Sequence, residues 1–256
     1  MNKIIDIPKL IDTHLHLDLY SSPLKVIEDA ERLNIGLVAV TNAPFLFQPC
    51  KNFCDNYRYA WASLGMHPEL VSQFADQFGL FKDLLVLTPF VGEIGLDYST
   101  SDKHQRRLQK DIFEKILSAS ADQGNKVLSV HSRNAAKVVI ESVGCNYPNV
   151  VIMHWYSGSI SDLETAIAND LYFSVNSAMV TSRKGMDIVR RIPIENILLE
   201  SDGPFIKYQG NPFPTSALTN IIDAIAQIKQ YDLDKIISQI WNNNKKVFAK
   251  ISTEGK

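Results

Sequence analysis

Histidines and carboxylates stand at the ends of short hydrophobic runs in this sequence, where β-strands are expected to stop. The residues are His14, His16, Glu93, His131, His154 and Asp202. Successive side chains of a strand point to opposite faces, so His14 and His16 should project together. Imidazoles and carboxylates that converge from several strands can hold divalent cations. A single one could be a hydrogen-bonded core residue, but several strand ends together favour a metal site and predict a metal-dependent hydrolase.

The elements that would position these residues alternate regularly along the chain. Short β-branched apolar runs are separated by longer amphipathic stretches, about eight times in all. The predicted strands cover residues 10–16, 36–41, 57–65, 90–97, 126–131, 150–154, 171–175 and 197–201. Ser22 and Pro23 open the first predicted helix, and the longest covers 102–122. A capping box begins the next at Ser161. The last two helices are predicted at 216–230 and 233–250, after a proline-rich loop at 211–214.

This rhythm over 256 residues predicts a TIM-type (β/α)8 barrel, with residues 1–256 forming a single domain. Such barrels carry their chemistry at the C-terminal ends of the strands, where all the candidate ligands lie. Gly92 and Gly95 frame Glu93 and predict a close approach of the backbone, and a carboxylate there can bridge two cations. Asp12 is expected to orient an imidazole. Glu200 lies deeper than Asp202, and either supports a ligand or forms a buried salt bridge.

Composition limits the classes of partner. A formal net charge of −2 implies no broad basic surface, which argues against tight, sequence-independent binding of long duplexes. It leaves room for nucleic-acid chemistry at a metal centre, because bound cations supply local positive charge. Three cysteines argue against a disulfide framework. Residues 1–9 lack a signal core and no stretch is long enough to span a bilayer. We therefore expect a cytoplasmic location and no membrane partner.

Six motifs together resemble the TatD family of metal-dependent deoxyribonucleases, in the family's order between residues 10 and 206. They are Asp12-Thr13-His14-Leu15-His16, Gly65-Met66-His67-Pro68, Gly92-Glu93-Ile94-Gly95-Leu96-Asp97, His131-Ser132-Arg133, His154-Trp155-Tyr156-Ser157-Gly158-Ser159 and Glu200-Ser201-Asp202-Gly203-Pro204. Asp18-Leu19-Tyr20 and residues 173–179 further resemble the TatD-type nuclease of Qat anti-phage systems.

The resemblance implies a dinuclear site with two divalent ions, Mg²⁺, Mn²⁺ or Zn²⁺. One ion would be held by His14, His16, Glu93 and Asp202. Glu93 would bridge to a second ion held by His131 and His154. A water between the ions would attack phosphorus, with Asp202 and Glu93 as the catalytic residues and Asp202 accepting the proton.

His67 and Arg133 match positions for substrate binding near the phosphate. His67 could instead cap the helix that Pro68 begins, and Arg133 could form a surface salt bridge. Trp155 and Tyr156 could stack on a base or pack against the barrel rim. His104, inside the long helix, is expected at the surface.

The expected substrate is DNA, as single strands or 3′ ends, with partner proteins of a Qat-type defence system. Many members of the family carry a basic residue where this chain has Ser99-Thr100-Ser101, and residues 207–211 contain fewer arginines than is usual. We therefore expect DNA binding to be weak or to be supplied by another protein.

Two alternatives remain open at this point. One is a hydrolase of another bond, such as an amide or lactone. Related barrels of that kind often carry a modified lysine where this chain has Glu93, which favours the nuclease. The other is a recognition subunit of a defence complex with little catalysis.

Overall fold

The computed structural model describes residues 7–248, and eight parallel strands form its main sheet. The strands are β1 (Leu10–Leu15), β2 (Ile35–Val40), β3 (Ala60–Ser63), β4 (Phe90–Gly95), β5 (Val127–His131), β6 (Val150–His154), β7 (Tyr172–Val175) and β8 (Ile197–Leu199). They pair in the order β3-β2-β1-β8-β7-β6-β5-β4, and an isolated bridge between Leu64 and Val91 links the two outer strands. The sheet thus nearly closes, and the predicted (β/α)8 barrel is confirmed.

Helices connect the strands, as parallel pairing requires. They are α1 (Pro23–Leu33), α2 (Pro44–Cys54), α3 (Val71–Phe74), α4 (Phe78–Leu85), α5 (Lys103–Gln123), α6 (Ala136–Val143), α7 (Ile160–Ala168), α8 (Ser177–Thr181), α9 (Arg183–Arg191), α10 (Leu218–Lys229) and α11 (Leu233–Phe248). Asp102 caps the longest helix by accepting hydrogen bonds from the backbone of His104 and Gln105. In the part of the chain that is described, no helix has both the length and the apolarity to cross a membrane.

Three local predictions were wrong in detail. Helix α7 begins after Ser159, whose hydroxyl accepts from the backbone N–H of Asp162 at 3.0 Å. Two Ser-x-x-acid patterns overlap here, and the earlier one forms the cap. Strand β3 is shorter than the predicted 57–65. The proline-rich loop predicted at 211–214 begins with the short strand β10 (Asn211–Pro212), which pairs antiparallel with β9 (Lys207–Tyr208). Residues 249 and 250 of the last predicted helix lie outside the described residues.

An apolar cluster lies towards the strand starts. Its buried members are Ile11, Val38, Phe90, Val127, Val150, Ile152, Leu198, Val247 and Phe248. The ring of Phe90 lies 5.8 Å from that of Trp61 and 5.4 Å from that of Phe248, measured between centroids. The last described turn of α11 therefore packs on this cluster. The polar residues discussed next are buried at the opposite ends of the same strands.

Candidate metal centre

Two β-bulges position the first candidate ligands. Pairing of β1 with β2 shifts register between Asp12 and Leu15, and pairing of β4 with β5 shifts between Val91 and Ile94. In each case the first strand advances by one residue more than its partner. A bulge bends a strand and redirects its side chains, and here the two bulges contain His14 and Glu93. His14 and His16 lie together, as the alternation of strand side chains predicts, but neither bulge was predicted.

The first donor cluster consists of His14, His16, Glu93 and Asp202. The Nε2 atoms of His14 and His16 lie 3.4 Å apart, and they lie 3.5 and 3.3 Å from Glu93 Oε2. Asp202 Oδ1 lies 3.9 and 3.7 Å from the same two nitrogens. Ligand atoms about 2.0–2.2 Å from one cation are separated by roughly this spacing. His14, His16 and Glu93 therefore form a group that could hold one divalent ion, and Asp202 lies beside it.

The second donor cluster forms around the other oxygen of Glu93 and contains His131 and His154. Glu93 Oε1 lies 2.7 Å from His131 Nδ1 and 3.9 Å from His154 Nε2. His154 Nε2 is also 3.9 Å from Asp202 Oδ1. This cluster is less regular than the first, because His131 hydrogen-bonds Glu93 directly. Its imidazole and carboxylate donors nevertheless suit the same class of cation.

His67 also faces the second donor cluster, with Nε2 3.4 Å from Glu93 Oε1. Its Nδ1 accepts a hydrogen bond from the backbone N–H of Glu69 at 3.2 Å. An imidazole whose Nδ1 accepts carries its hydrogen on Nε2. His67 therefore caps the short helical turn after it and presents a donor to the site, so both sequence-based interpretations of this residue describe part of its geometry.

The candidate ligands His14 and His131 are oriented through their second nitrogens, the arrangement that fixes tautomer and ring position in metal sites. His14 Nδ1 lies 2.7 Å from Ser129 Oγ, and His131 Nε2 lies 2.8 Å from Asp97 Oδ2. These contacts of Ser129 and Asp97 were not predicted from the sequence. The available signal was that Ser129 lies two residues before His131 on a predicted strand, and that Asp97 ends another.

Glu200 supports His154 and is fully buried. Its Oε2 lies 2.7 Å from His154 Nδ1 and also accepts from the hydroxyl of Ser174. Its Oε1 accepts from Asn176 Nδ2 at 2.8 Å and from the backbone N–H of Trp155 at 3.2 Å. Both carboxylate oxygens are thus engaged, so Glu200 holds a candidate ligand in place.

Asp12 does not orient an imidazole, and that expectation was wrong. Its Oδ1 accepts from the backbone N–H groups of His14 at 3.3 Å and Ser201 at 2.9 Å. The bulge in β1 turns the His14 amide towards this carboxylate. Asp12 consequently joins β1 to the loop that follows β8, and it fixes the backbone beneath two candidate ligands.

Burial and mutual charge shift the ionisation of the clusters. Burial lowers the pKa of His14 well below its usual range, and burial raises the pKa of Asp202 to about 7. Burial opposes ionisation of Glu93, but its electrostatic interaction with His67 and hydrogen bonds from His131 and His14 hold its pKa well below the ordinary value. Against burial, Glu200 and Asp202 raise the pKa of His154 to about 10. A cation would have to displace that proton on binding.

The backbone is constrained at the same place. Asp202 has φ 47° and Trp155 has φ 39°, values in the left-handed region that aspartate tolerates but that are uncommon for a bulky tryptophan. Gly95 has φ 129°, and a Cβ there would lie 2.1 Å from the carbonyl oxygen of His131. The close backbone approach predicted from the glycines around Glu93 is thus present at Gly95.

A cleft of ≈ 510 Å³ opens over the two clusters. It is lined by His16, His67, Glu69, Glu93, His131, Ser132, Arg133, His154, Trp155, Ser157, Asp202 and Phe205. Arg133 and Trp155 are exposed at its rim, whereas Tyr156 is buried against Phe173. His104 is exposed on α5, as expected. Phe205 was not anticipated, because it follows the last motif and carries no metal-binding or acid–base chemistry.

Comparison with known proteins agrees with this geometry. The TatD related DNase family matches residues 11–249. The human protein named deoxyribonuclease TATDN3 is 26% identical over 265 residues, covering 94% of this chain and 95% of its own. A protein of Erwinia amylovora named 3'-5' ssDNA/RNA exonuclease TatD is 25% identical over 242 residues, covering 88% of this chain and 93% of its own.

The fold is likewise shared with solved structures. The crystal structure of YjjV, a TatD homologue from Escherichia coli K12, matches with a TM-score of 0.84 at 21% identity, covering 94% of this chain and 98% of its own. Barrel, donor clusters and family match thus agree. This chain belongs to the TatD-related DNase family of metal-dependent hydrolases.

Proposed function

We propose that this chain hydrolyses phosphodiester bonds of DNA with two divalent ions. The observation that carries the proposal is the position of Glu93, whose Oε2 faces the first donor cluster while its Oε1 faces the second. A pair of ions that share one carboxylate is a common arrangement in phosphodiester hydrolysis. The first donor cluster would hold one ion, and Glu93, His131 and His154 would hold the other. Mg²⁺, Mn²⁺ and Zn²⁺ are the candidate ions.

When bound, such ions activate water and neutralise charge on phosphoryl oxygens. The side chains supply the remaining steps. Burial raises the pKa of Asp202 to about 7, so its carboxylate can take up a proton near neutral pH. The Nε2–H of His67 and the guanidinium of Arg133 donate hydrogen bonds to the phosphate from the cleft wall. Glu200 keeps His154 from turning as the substrate binds.

Single-stranded DNA and 3′ ends are the proposed substrates. Two similarities support this: one relative is named a deoxyribonuclease, and another a single-stranded DNA and RNA exonuclease. The donor atoms also lie on residues that are buried or, for His131, half-buried. A phosphodiester in a separated strand reaches such donors more readily than one in an intact duplex, whose paired bases hold the backbone rigid.

In the cell, the proposed setting is a cytoplasmic Qat-type anti-phage system with partner proteins. The support is the resemblance at Asp18-Leu19-Tyr20 and residues 173–179, together with the charge of the cleft. Of the described residues that line it, Arg133 alone carries a permanent positive charge. A partner that binds the DNA backbone would supply the missing contacts. Loss of phage protection on His14→Ala and Asp202→Asn substitution would support this setting, whereas unchanged protection would favour a recognition subunit.

The nuclease proposal is tested with purified protein and single-stranded oligonucleotides labelled at the 5′ or 3′ end. Cleavage should require Mg²⁺, Mn²⁺ or Zn²⁺ and stop with a chelator. His14→Ala should abolish it, while His104→Ala, which alters an exposed histidine on α5, should leave it unchanged. Amide and ester substrates are measured in parallel. Hydrolysis of those substrates with no DNA cleavage under any metal would contradict the proposal.

A further inference from the structure

Two large aromatic side chains stand exposed beside the donor clusters. Trp155 is 37% exposed and Phe205 is 60% exposed, and both line the cleft. The Phe205 ring meets the His16 ring edge-on with centroids 4.9 Å apart, and the Trp155 ring meets the His154 ring similarly at 6.4 Å. Core packing does not account for apolar surface left open next to buried polar groups.

Trp155 is exposed on a segment whose backbone adopts an unfavourable conformation. A φ of 39° is strained for a bulky residue and persists only where neighbouring contacts enforce it. The enforcing contact is the Trp155 N–H, which donates to Glu200 Oε1 at 3.2 Å. The other oxygen of Glu200 meets His154. The indole is therefore held in fixed relation to a candidate ligand.

Phe205 is coupled to the clusters in a parallel way. Its backbone N–H donates to the carbonyl oxygen of Asp202 at 3.0 Å. The turn that presents the Asp202 carboxylate to the first donor cluster thus also presents the Phe205 ring to the cleft. Each aromatic residue is carried by the same short segment as one candidate ligand.

The ligand that suits this lining is a planar aromatic group attached to an anion. The cleft volume of ≈ 510 Å³ falls in the range that proteins use for one small molecule. Aromatic side chains stack on the faces of nucleobases, and within a duplex those faces are covered by the neighbouring base pairs. With Arg133 as the single permanently cationic side chain of the lining, side-chain charge contributes little to binding of the backbone beyond the reacting phosphate.

We infer that Trp155 and Phe205 form a subsite for an unpaired nucleobase next to the phosphodiester that is cleaved. Preference for single strands then arises from stacking rather than from attraction to the backbone. This inference rests on the proposed nuclease function, since it assigns the base that accompanies the reacting phosphate.

The test pairs substitutions with abasic substrates. Wild type, Trp155→Ala, Phe205→Ala and Trp155→Phe are assayed on a single-stranded oligonucleotide and on strands with an abasic residue at either side of the cleaved bond. Tyr231→Ala is the control, because Tyr231 is 42% exposed outside the cleft lining. Trp155→Ala and Phe205→Ala should each lower kcat/KM on the intact strand by about 5- to 100-fold. Trp155→Phe should keep most of the wild-type kcat/KM, and Tyr231→Ala should leave kcat/KM unchanged.

On the strand that lacks the stacked base, wild type should lose a similar factor and the alanine substitutions should add little to that loss. Equal losses on intact and abasic strands would overturn the inference, since Trp155 and Phe205 would then serve only the structure of the site. No loss on either strand would overturn it too.

Two further measurements separate failure of the subsite from failure of the proposed nuclease function. They are hydrolysis of bis(p-nitrophenyl) phosphate and binding of intact and abasic strands in the presence of chelator. Hydrolysis of that small diester and of DNA without any dependence on the base would leave the nuclease standing and remove the subsite. Absence of all hydrolysis, with intact strands bound more tightly than abasic strands by wild type but not by Trp155→Ala, would retain the subsite and reject the nuclease.

Discussion

The two ends of the barrel are built from the same strands but have opposite chemistry. Strand β4 starts with Phe90 in the apolar cluster and presents Glu93 to both donor clusters. Strand β6 likewise runs from Val150 to His154. Burial of apolar surface at the strand starts stabilises the fold by about 25 cal/mol per Å². Burial of carboxylates at the strand ends costs free energy unless they are paired. Along these strands the small apolar cluster thus adds stability at one end, and the polar groups are placed for chemistry at the other.

Unsatisfied groups show that the polar end is not optimised for stability. Within the described part of the chain, Asp12 Oδ2 and His16 Nδ1 are buried side-chain atoms without a hydrogen-bond partner. Burial also raises the pKa of Asp12 and of Asp202 to about 7. Such groups are destabilising in a metal-free protein. A bound cation would offset the cost of burying the Asp202 carboxylate.

The largest effect is expected at the polar end. Asp202→Asn removes a carboxylate from the first donor cluster, so DNA cleavage should fall by about 10³-fold or more. Because the buried carboxylate is disfavoured without metal, the unfolding midpoint measured with chelator should stay the same or rise. A variant that is both inactive and clearly less stable in chelator would show that Asp202 serves the fold.

The apolar end should respond in the opposite way. Phe90→Ala leaves a cavity among Trp61, Phe248 and their neighbours, so the free energy of unfolding should fall by about 3–5 kcal/mol. The kcat of the folded variant should stay near that of wild type. Denaturant titration and steady-state kinetics at low temperature measure the two quantities. Loss of kcat with unchanged stability would contradict the division between the two ends.

A smaller effect is expected from pH in the metal-free protein. Against burial, carboxylate neighbours raise the pKa of His131 to about 9 and of His154 to about 10, from an ordinary value of 6.5. Groups with raised pKa stabilise the fold fully below 6.5, and that contribution is lost as pH rises towards 9–10.

Between pH 6.5 and 8 the free energy of unfolding in chelator should therefore fall by roughly 1–3 kcal/mol. His154→Gln should reduce the slope, and saturating metal should remove it, because the cation takes the place of the protons. Stability that rises with pH in this window without metal would contradict the assignment of these two histidines.

Sequence reasoning located the barrel and the candidate ligands because both depend on local pattern. Apolar runs mark the strands, and a histidine or acid at the end of a run marks the functional end of the barrel. The bulges at His14 and Glu93 were not predicted, because the register of a strand depends on pairing with another strand that is distant in sequence. Asp12 was misassigned for the same reason, since the bulge turns the His14 amide towards it.

The positions of Phe205 and Ser129 in the site were not predicted for a different reason. Neither residue type signals metal chemistry, so only their position reveals a role. Phe205 reaches the cleft through the turn at Asp202, and Ser129 reaches His14 across the barrel interior at 2.7 Å. Contacts between strands that are remote in sequence are set by closure of the barrel, which no local pattern encodes.

The most direct test of the central claim is a crystal structure of the protein soaked with Mn²⁺ or Zn²⁺, with ions located by anomalous scattering. We expect two ions about 3.5–4 Å apart with Glu93 between them, one beside His14 and His16 and the other beside His131 and His154. A single ion in full occupancy, or two ions that do not share Glu93, would contradict the account.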